Sequence, residues 1–482
     1  MLNSLTNKVT REVLNTRDKA LAVNLDPRCY GTFAEIGAGQ EVVRWFFRVG
    51  GAAGTIAKSI SAYDMTVSDA IYGNACRYVC RERMQAMLNQ EHKLNLDRLS
   101  DVRGDTTAFF AFADTVSARN YKGTNECHGW MGIKFQAQPN DQDSQIIIHV
   151  RMLDDDATLQ QEALGIVGVN LVYGAYALNH EPELLVASLL DGLSTSRIEI
   201  DMIEFSGIEF RNVDNRLMSL KLVELGLSGA AMFASNGDVL QPSEFFYKKP
   251  ILVERGSFRP VCNVNMDMLR CANEQFSKLA SNQGKSITQV MELTMSNLKA
   301  TGKIDLRDFL SRADAVSACG MPVLISDFPE YYRLAAYLSR YTKERIAITM
   351  GAGSLRELFD TKYYDDLEGG ILESFGRLFK NGLKLYCYPL QDQNTGELTT
   401  SDNLVVDEGL QQLYAYLRDR GDIESLTDFD ADCLKVFSRE VLQKIKDGDT
   451  QWEEMVPKSV ANVIKAKCYF NYSPMAHALA SH

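Results

Sequence analysis

From about residue 195 the chain settles into a rhythm that restricts its fold more than any other feature. Short apolar runs at 197–205, 230–234, 251–254, 322–326, 346–350 and 383–388 have strand composition. Helical periodicity occupies 215–225, 266–279, 288–298, 306–316, 331–339 and 372–380. A parallel neighbour can be reached only through a crossover, so strands spaced by helices predict βαβ units. The expectation is an α/β protein with a mostly parallel sheet over 196–390.

Residues 1–195 read differently. Helices are expected at 5–16, 41–49, 59–72 and 76–91. Strand composition follows at 107–114, 129–138 and 144–153, with Asn, Gly and Pro between the runs, which predicts an antiparallel meander. Helices then return at 159–178 and 182–190. This N-terminal helical plus antiparallel β region is expected to end near 195. The polar stretch QDQNTGELTTSDN, 391–403, reads as a linker or exposed loop, and 404–470 as a helical C-terminal segment.

Lys and Arg number 51 against 63 Asp and Glu, a net charge of −12, which disfavours a protein that coats nucleic acid. The most apolar run, GIVGVNLVYGAYAL at 165–178, is too short to span a bilayer and is interrupted by Asn170, so a buried helix is expected. The N-terminus lacks the unbroken apolar stretch of a secretion signal. The ten cysteines are scattered, and only Cys76 and Cys80 sit close together, with no second pair to complete a zinc site. A cytoplasmic protein with reduced thiols and no metal is the expectation.

Five segments carry candidate chemistry. FAEIGAGQ, with Gly37 and Gly39, resembles a strand–turn–helix nucleotide loop that lacks its third glycine; alternatively, its glycines only permit a tight turn. VGGAAGT, with Gly50, Gly51 and Gly54 ahead of Lys58, mixes open backbone, a lysine and hydroxyls as phosphate cradles do, although the Walker spacing is not met. Close helix packing is the competing reading of these small residues. ILVERGSFR ends an apolar strand in Arg255, Ser257 and Arg259, suited to a phosphate or carboxylate, or to surface ion pairs. Asp327, and Gly351, Gly353 and Ser354, follow later strands and are expected on the same sheet edge as Arg255. Asp327 is a candidate base or ribose ligand, or a helix cap. His128, just before a strand, is a candidate acid–base group. Its neighbour Cys127 faces the other way in an extended chain, and His149 reads as a satisfied sheet histidine.

The stretch TFAEIGAGQEVVRWFFRVGGAAGTIAKSISAYDMTVSDAIYG, with HGWMGIKFQ, IIIHVRMLD, EALGIVGVNL, DNRLMSLKLV, VERGSFRPV and GGILESFGRLFKN, resembles a bacterial family of soluble proteins of similar length. Members of that family are labelled nicotinate- or nicotinamide-nucleotide adenylyltransferase, or TonB-dependent receptor. A TonB-dependent receptor needs an export signal and a large β-barrel, and the sequence displays neither. The usual adenylyltransferase needs an H-x-G-H-like pair, which none of the six histidines forms.

These readings converge on a protein that binds or turns over an anionic small molecule, a nucleotide or sugar phosphate. Its cofactor and reaction are left open. The rival is a non-catalytic, self-associating scaffold, suggested by aromatic segments such as Trp45-Phe46-Phe47 that would suit a homo-oligomer interface. Neither a nucleic-acid nor a membrane partner is expected.

Overall fold

Strand β1 (Cys29–Gly37) pairs in parallel with both β2 (Ile56–Ile60) and β3 (Ala108–Ser117), and the first half of the chain is organised around it. The computed structural model describes residues 13–37, 39–75, 77–300 and 302–474, and divides between Ser228 and Gly229 into two units. In the first, β4 (His128–Phe135), β5 (Ser144–Met152) and β6 (Ile198–Gly207) extend the sheet antiparallel, in the order β2-β1-β3-β4-β5-β6.

One face of this sheet presents Phe33, Phe110, Phe112, Ile133 and Ile148 to a core shared with helices Val42–Val49 and Ala157–Ala177. Phe33 is fully buried, with the rings of Phe46, Phe110 and Phe112 centred 4.9, 5.5 and 5.6 Å away. Helix Arg81–Arg103 packs on the other face, where Asn95 donates to the Phe110 carbonyl and accepts from Thr32 Oγ1. Asn170 lies inside the buried helix Ala157–Ala177, as expected, and its amide is fully used. It accepts from Lys19 Nζ at 2.8 Å and donates to the Leu189 and Asp191 carbonyls. No described helix is long and apolar enough to cross a membrane.

The second unit is α/β, as the rhythm predicted. Its strands are β7 (Ala230–Phe233), β8 (Val239–Leu240), β9 (Ile251–Arg255), β10 (Thr288–Thr294), β11 (Val323–Ser326), β12 (Ile346–Gly351), β13 (Lys384–Tyr388), a small hairpin of β14 (Leu390–Gln391) and β15 (Leu398–Thr399), and β16 (Ile423–Ser425). The large sheet runs β16-β13-β12-β9-β10-β11-β7-β8. From β16 to β11 all neighbours are parallel; β7 and β8 add antiparallel pairings at one side. The chain lays β9, β10 and β11 outward in one direction, then returns to place β12 on the other side of β9. In chain order the six parallel strands therefore read 3-2-1-4-5-6, with the reversal between β9 and β12. Helices Tyr331–Leu338, Ala352–Leu358 and Gly370–Leu378 cover one face. Asn263–Ser277 and Leu306–Ala318 cover the other, through Phe276 against Tyr386 and Phe309 against Phe233.

Several expectations need correction. The first unit is not simply helical plus antiparallel, because β1 and β2 give its sheet a parallel part. The span 59–72 splits into the end of β2 and helix Met65–Tyr72, since Ile56–Ile60 is recruited by β1. The span 76–91 gives way to a helix that begins at Arg81 and is capped by Cys80, whose sulfur accepts from the Arg83 amide. Strand 197–205, expected in the parallel sheet, is β6 and pairs antiparallel with β5 in the first unit. Residues 288–294 form a central strand, not a helix. Met, Glu, Leu and Gln favour helix locally, but pairing between β9 and β11 decides the outcome. Residues 5–12, Cys76 and 475–482 lie outside the described residues.

Replacing Phe33 with Ala removes the aromatic centre of the first core. The expected loss is about 3–5 kcal/mol, read as a lower urea midpoint for the first unit.

Candidate functional site

Open parallel sheets bind ligands beyond the carboxyl ends of their strands, where the strand order reverses. In the second unit that point lies between β9 and β12. Glu254 and Thr349 face each other there in register. Asn265 Nδ2 donates to Glu254 Oε1 at 2.7 Å, whereas Glu254 Oε2 and Thr349 Oγ1 are buried with no partner among the described residues. Burial pushes the Glu254 carboxyl up to about 8.

Arg255 and Asp327 share this edge, but their roles differ. Asp327 is exposed, as is Ser257. Arg255 is nearly buried and its donors are occupied. Nε and Nη2 meet Glu292 at 2.8 and 3.0 Å, Nη1 donates to the Pro329 carbonyl at 2.7 Å, and the guanidinium lies 4.3 Å from the Tyr331 ring centre. Ser326 adds a 2.5 Å hydrogen bond to Glu292. Arg255 thus ties β9 to β10 and to the loop after Asp327. Arg259 pairs with Asp308 at 2.8 Å and lines a cleft of about 340 Å³ with Arg307 and Lys446.

A larger cleft, about 570 Å³, opens beside the ends of β12 and β13. The β14–β15 hairpin supplies Leu390, Gln391, Asp392, Gln393 and Thr399; the flanking helices bring Arg356, Arg439 and Glu440, with Phe437 beside them. The Asp392 carboxylate accepts from the Asn394 and Thr395 amides, and these bonds hold its pKa below the usual range. Arg356 and Arg439 are exposed and pair with no carboxylate among the described residues. Sequence reasoning missed both: Arg356 lies two residues beyond the flagged Ser354, and the hairpin read as a linker.

In the first unit FAEIGAGQ does join a strand to a helix, with β1 nine residues long. The helix N-terminus is already occupied. Glu35 accepts from the Val42 and Val43 amides at 2.9 and 3.2 Å, taking the place of an external anion. Beside it on β3 lies Asp114, fully buried, with neither oxygen hydrogen-bonded among the described residues. A Cβ at Gly39 would stand 2.1 Å from Asp114 Oδ1, and one at Gly37, where φ is +80°, 2.2 Å from the Val116 carbonyl. These glycines are therefore required for close packing. Burial raises both carboxyls; the Val42 and Val43 amides oppose the shift in Glu35, and the neighbouring Glu35 adds to it in Asp114. Gly50 and Gly51, both with positive φ, end helix Val42–Val49. Lys58 sits on β2 and gives its charge to Glu91, which also accepts from Tyr72 at 2.9 Å.

On the opposite face, His128 meets His149, which is a hydrogen-bonded sheet histidine as expected. His128 Nδ1 lies 3.0 Å from His149 Nε2, and His149 Nδ1 lies 2.6 Å from Asp201 Oδ1. His149 and Asp201 are buried, and Trp130 packs edge-on against His149. Burial, then the neighbouring His149, push His128 down to about 4, with Arg77 and Arg151 acting the same way and Asp201 opposing. Cys127 packs toward the other face, as its position in an extended chain predicted. Among the described residues no cluster of three or more His, Cys, Asp or Glu is placed to hold a metal ion.

No family model matches the chain, and no curated protein matches it. Among solved structures, the competence/damage inducible protein CihA of Agrobacterium tumefaciens is 13% identical with a TM-score of 0.23, covering 32% of this chain and 88% of its own. A competence-damaged protein (CinA) superfamily protein from Enterobacter cloacae is 13% identical with a TM-score of 0.25, covering 36% of this chain and 98% of its own. Likenesses this slight carry no functional weight.

Two outcomes follow from the buried charges. Arg255→Ala leaves the buried Glu292 without its cation, so chemical denaturation of the second unit should show a loss of about 3–5 kcal/mol. Asp114 has a folded pKa above its unfolded one, so its contribution is greatest at low pH and is lost as pH rises through the folded value. Urea midpoints of the first unit measured from about pH 5 to pH 9 should therefore fall with pH, and Asp114→Asn should flatten that slope.

Proposed function

We propose that the second unit binds an anionic small molecule, a nucleotide or a sugar phosphate, in the cleft at the carboxyl edge of its sheet. The supporting observation is the pair of guanidiniums, Arg356 and Arg439, that face this cleft without a carboxylate partner among the described residues. Guanidinium groups give paired, charge-assisted hydrogen bonds to phosphate or carboxylate oxygens. Phe437 offers an apolar surface for a base or sugar face, and Gln391 and Gln393 offer amides to hydroxyls. The cleft is lined by residues that follow β12 and β13, and β12 is one of the two strands at which the strand order reverses. Arg255 acts as a brace that holds the neighbouring loop, and Asp327 is exposed at the end of β11, outside the lining of this cleft. The described cysteines are all free thiols, as a reducing cytoplasm would keep them.

The test is a thermal-shift panel of ATP, NAD and glucose 6-phosphate, followed by calorimetry with the best of them. Arg356→Ala and Arg439→Ala should each weaken binding by roughly ten- to a hundredfold, while leaving the unfolding temperature of the ligand-free protein unchanged. No shift across the panel at millimolar concentration, or undiminished affinity in the double variant, overturns the reading.

A further inference from the structure

The hydrogen-bonded chain in the first unit has a direction. Asp201 presents a carboxylate, which only accepts, so the proton in the 2.6 Å contact belongs to His149 Nδ1. A neutral His149 then has a bare Nε2, and the 3.0 Å contact makes His128 Nδ1 the donor. His128 is left with its Nε2 lone pair free of this chain. The rings cannot turn to the opposite arrangement without breaking both contacts, and Trp130, 4.9 Å from His149 between ring centres, fixes the middle ring. Each member comes from a different strand. His128 opens β4, His149 lies near the end of β5, and Asp201 sits on β6 beside the register shift at His149. His149 and Asp201 are buried, while His128 is only half-buried, so the chain leads from the interior toward solvent.

We propose that Asp201, His149 and His128 form a proton relay, with His128 Nε2 as the general base for a water molecule or a substrate hydroxyl. In the step, the O–H bond breaks as its proton bonds to His128 Nε2, and the oxygen keeps the electron pair of that bond. The Nδ1 proton of His128 passes to His149 Nε2. His149 then carries the positive charge, paired with the Asp201 carboxylate, and His128 is again neutral. His128 is the catalytic residue of this site; His149 and Asp201 are positioning residues that set its tautomer and receive the charge. The proposal does not depend on the anion reading.

The relay is tested without knowing the substrate. Diethylpyrocarbonate acylates an unprotonated imidazole nitrogen, and peptide mapping of the full chain at neutral pH reads each histidine separately. His128 should react faster than the buried His92. Asp201→Asn removes the charge and lets an amide donate to His149 Nδ1, so the His128 rate should fall at least roughly tenfold. The rate at exposed His180 should not change. A merely structural hydrogen-bond chain would leave the His128 rate unaltered in the variant, and that result overturns the proposal. Should the variant fail to fold, nitrogen-15 NMR of the histidine-labelled wild-type chain decides. Bare Nε2 atoms on both His128 and His149 support the relay, and a proton on His128 Nε2 sinks it.

Discussion

A parallel strand cannot turn straight back to its neighbour, and both units are built around that restriction. The crossover that follows each parallel strand brings a helix N-terminus or a loop to the strand's carboxyl end, where backbone amides and buried side chains need polar partners. In the first unit the partner is internal: Glu35, near the end of β1, reaches the amides that open the next helix. In the second unit Arg255, Glu292 and Ser326 tie the ends of β9, β10 and β11 together across the sheet. Removing one member of either group leaves a charge or a donor without its counterpart in a buried place, so these clusters hold strand ends at fixed separations.

The same restriction explains what could be read in the sequence. Most strands of the second unit are covered on both faces, and runs such as ILVER and IAITMG show this as nearly unbroken apolar composition. β10 did not, because TQVMELT mixes helix-favouring residues with a single β-branched residue between its threonines, and its place depends on β9 and β11. β2 failed for a related reason. IAKSI lies at a sheet edge, half-exposed, and its hydroxyl and ammonium groups resemble the start of a helix or an anion loop. The antiparallel meander was legible because each of its turns is marked by Gly, Asn or Pro.

Site residues were legible singly and illegible in combination. His128 stood out by its position before a strand, yet its partner His149 is fixed by the pairing of β4 with β5, and Asp201 by the pairing of β5 with β6. Arg356 and Arg439 are further apart still in the chain, and the hairpin that joins their cleft looked like a polar linker. A single sequence shows residue types and local spacing. It does not show which strands become neighbours, and these clusters exist only through that choice.

The two units handle negative charge in opposite ways, and this difference favours one of them for an anionic ligand. At the end of β1 the helix amides already hold a carboxylate, Lys58 already holds Glu91, and a second acid, Asp114, stands beside Glu35. A phosphate entering there would have to displace a buried carboxylate and meet another. At the carboxyl edge of the second unit the ion pairs that brace the strand ends form without Arg356 or Arg439, since Arg255 and Arg259 have their own carboxylates. Charges that the fold does not need are the ones that can be given to a ligand without weakening the protein. By that criterion the cleft near β12 and β13, rather than the glycine-bearing turn after β1, is where an anion would gain most.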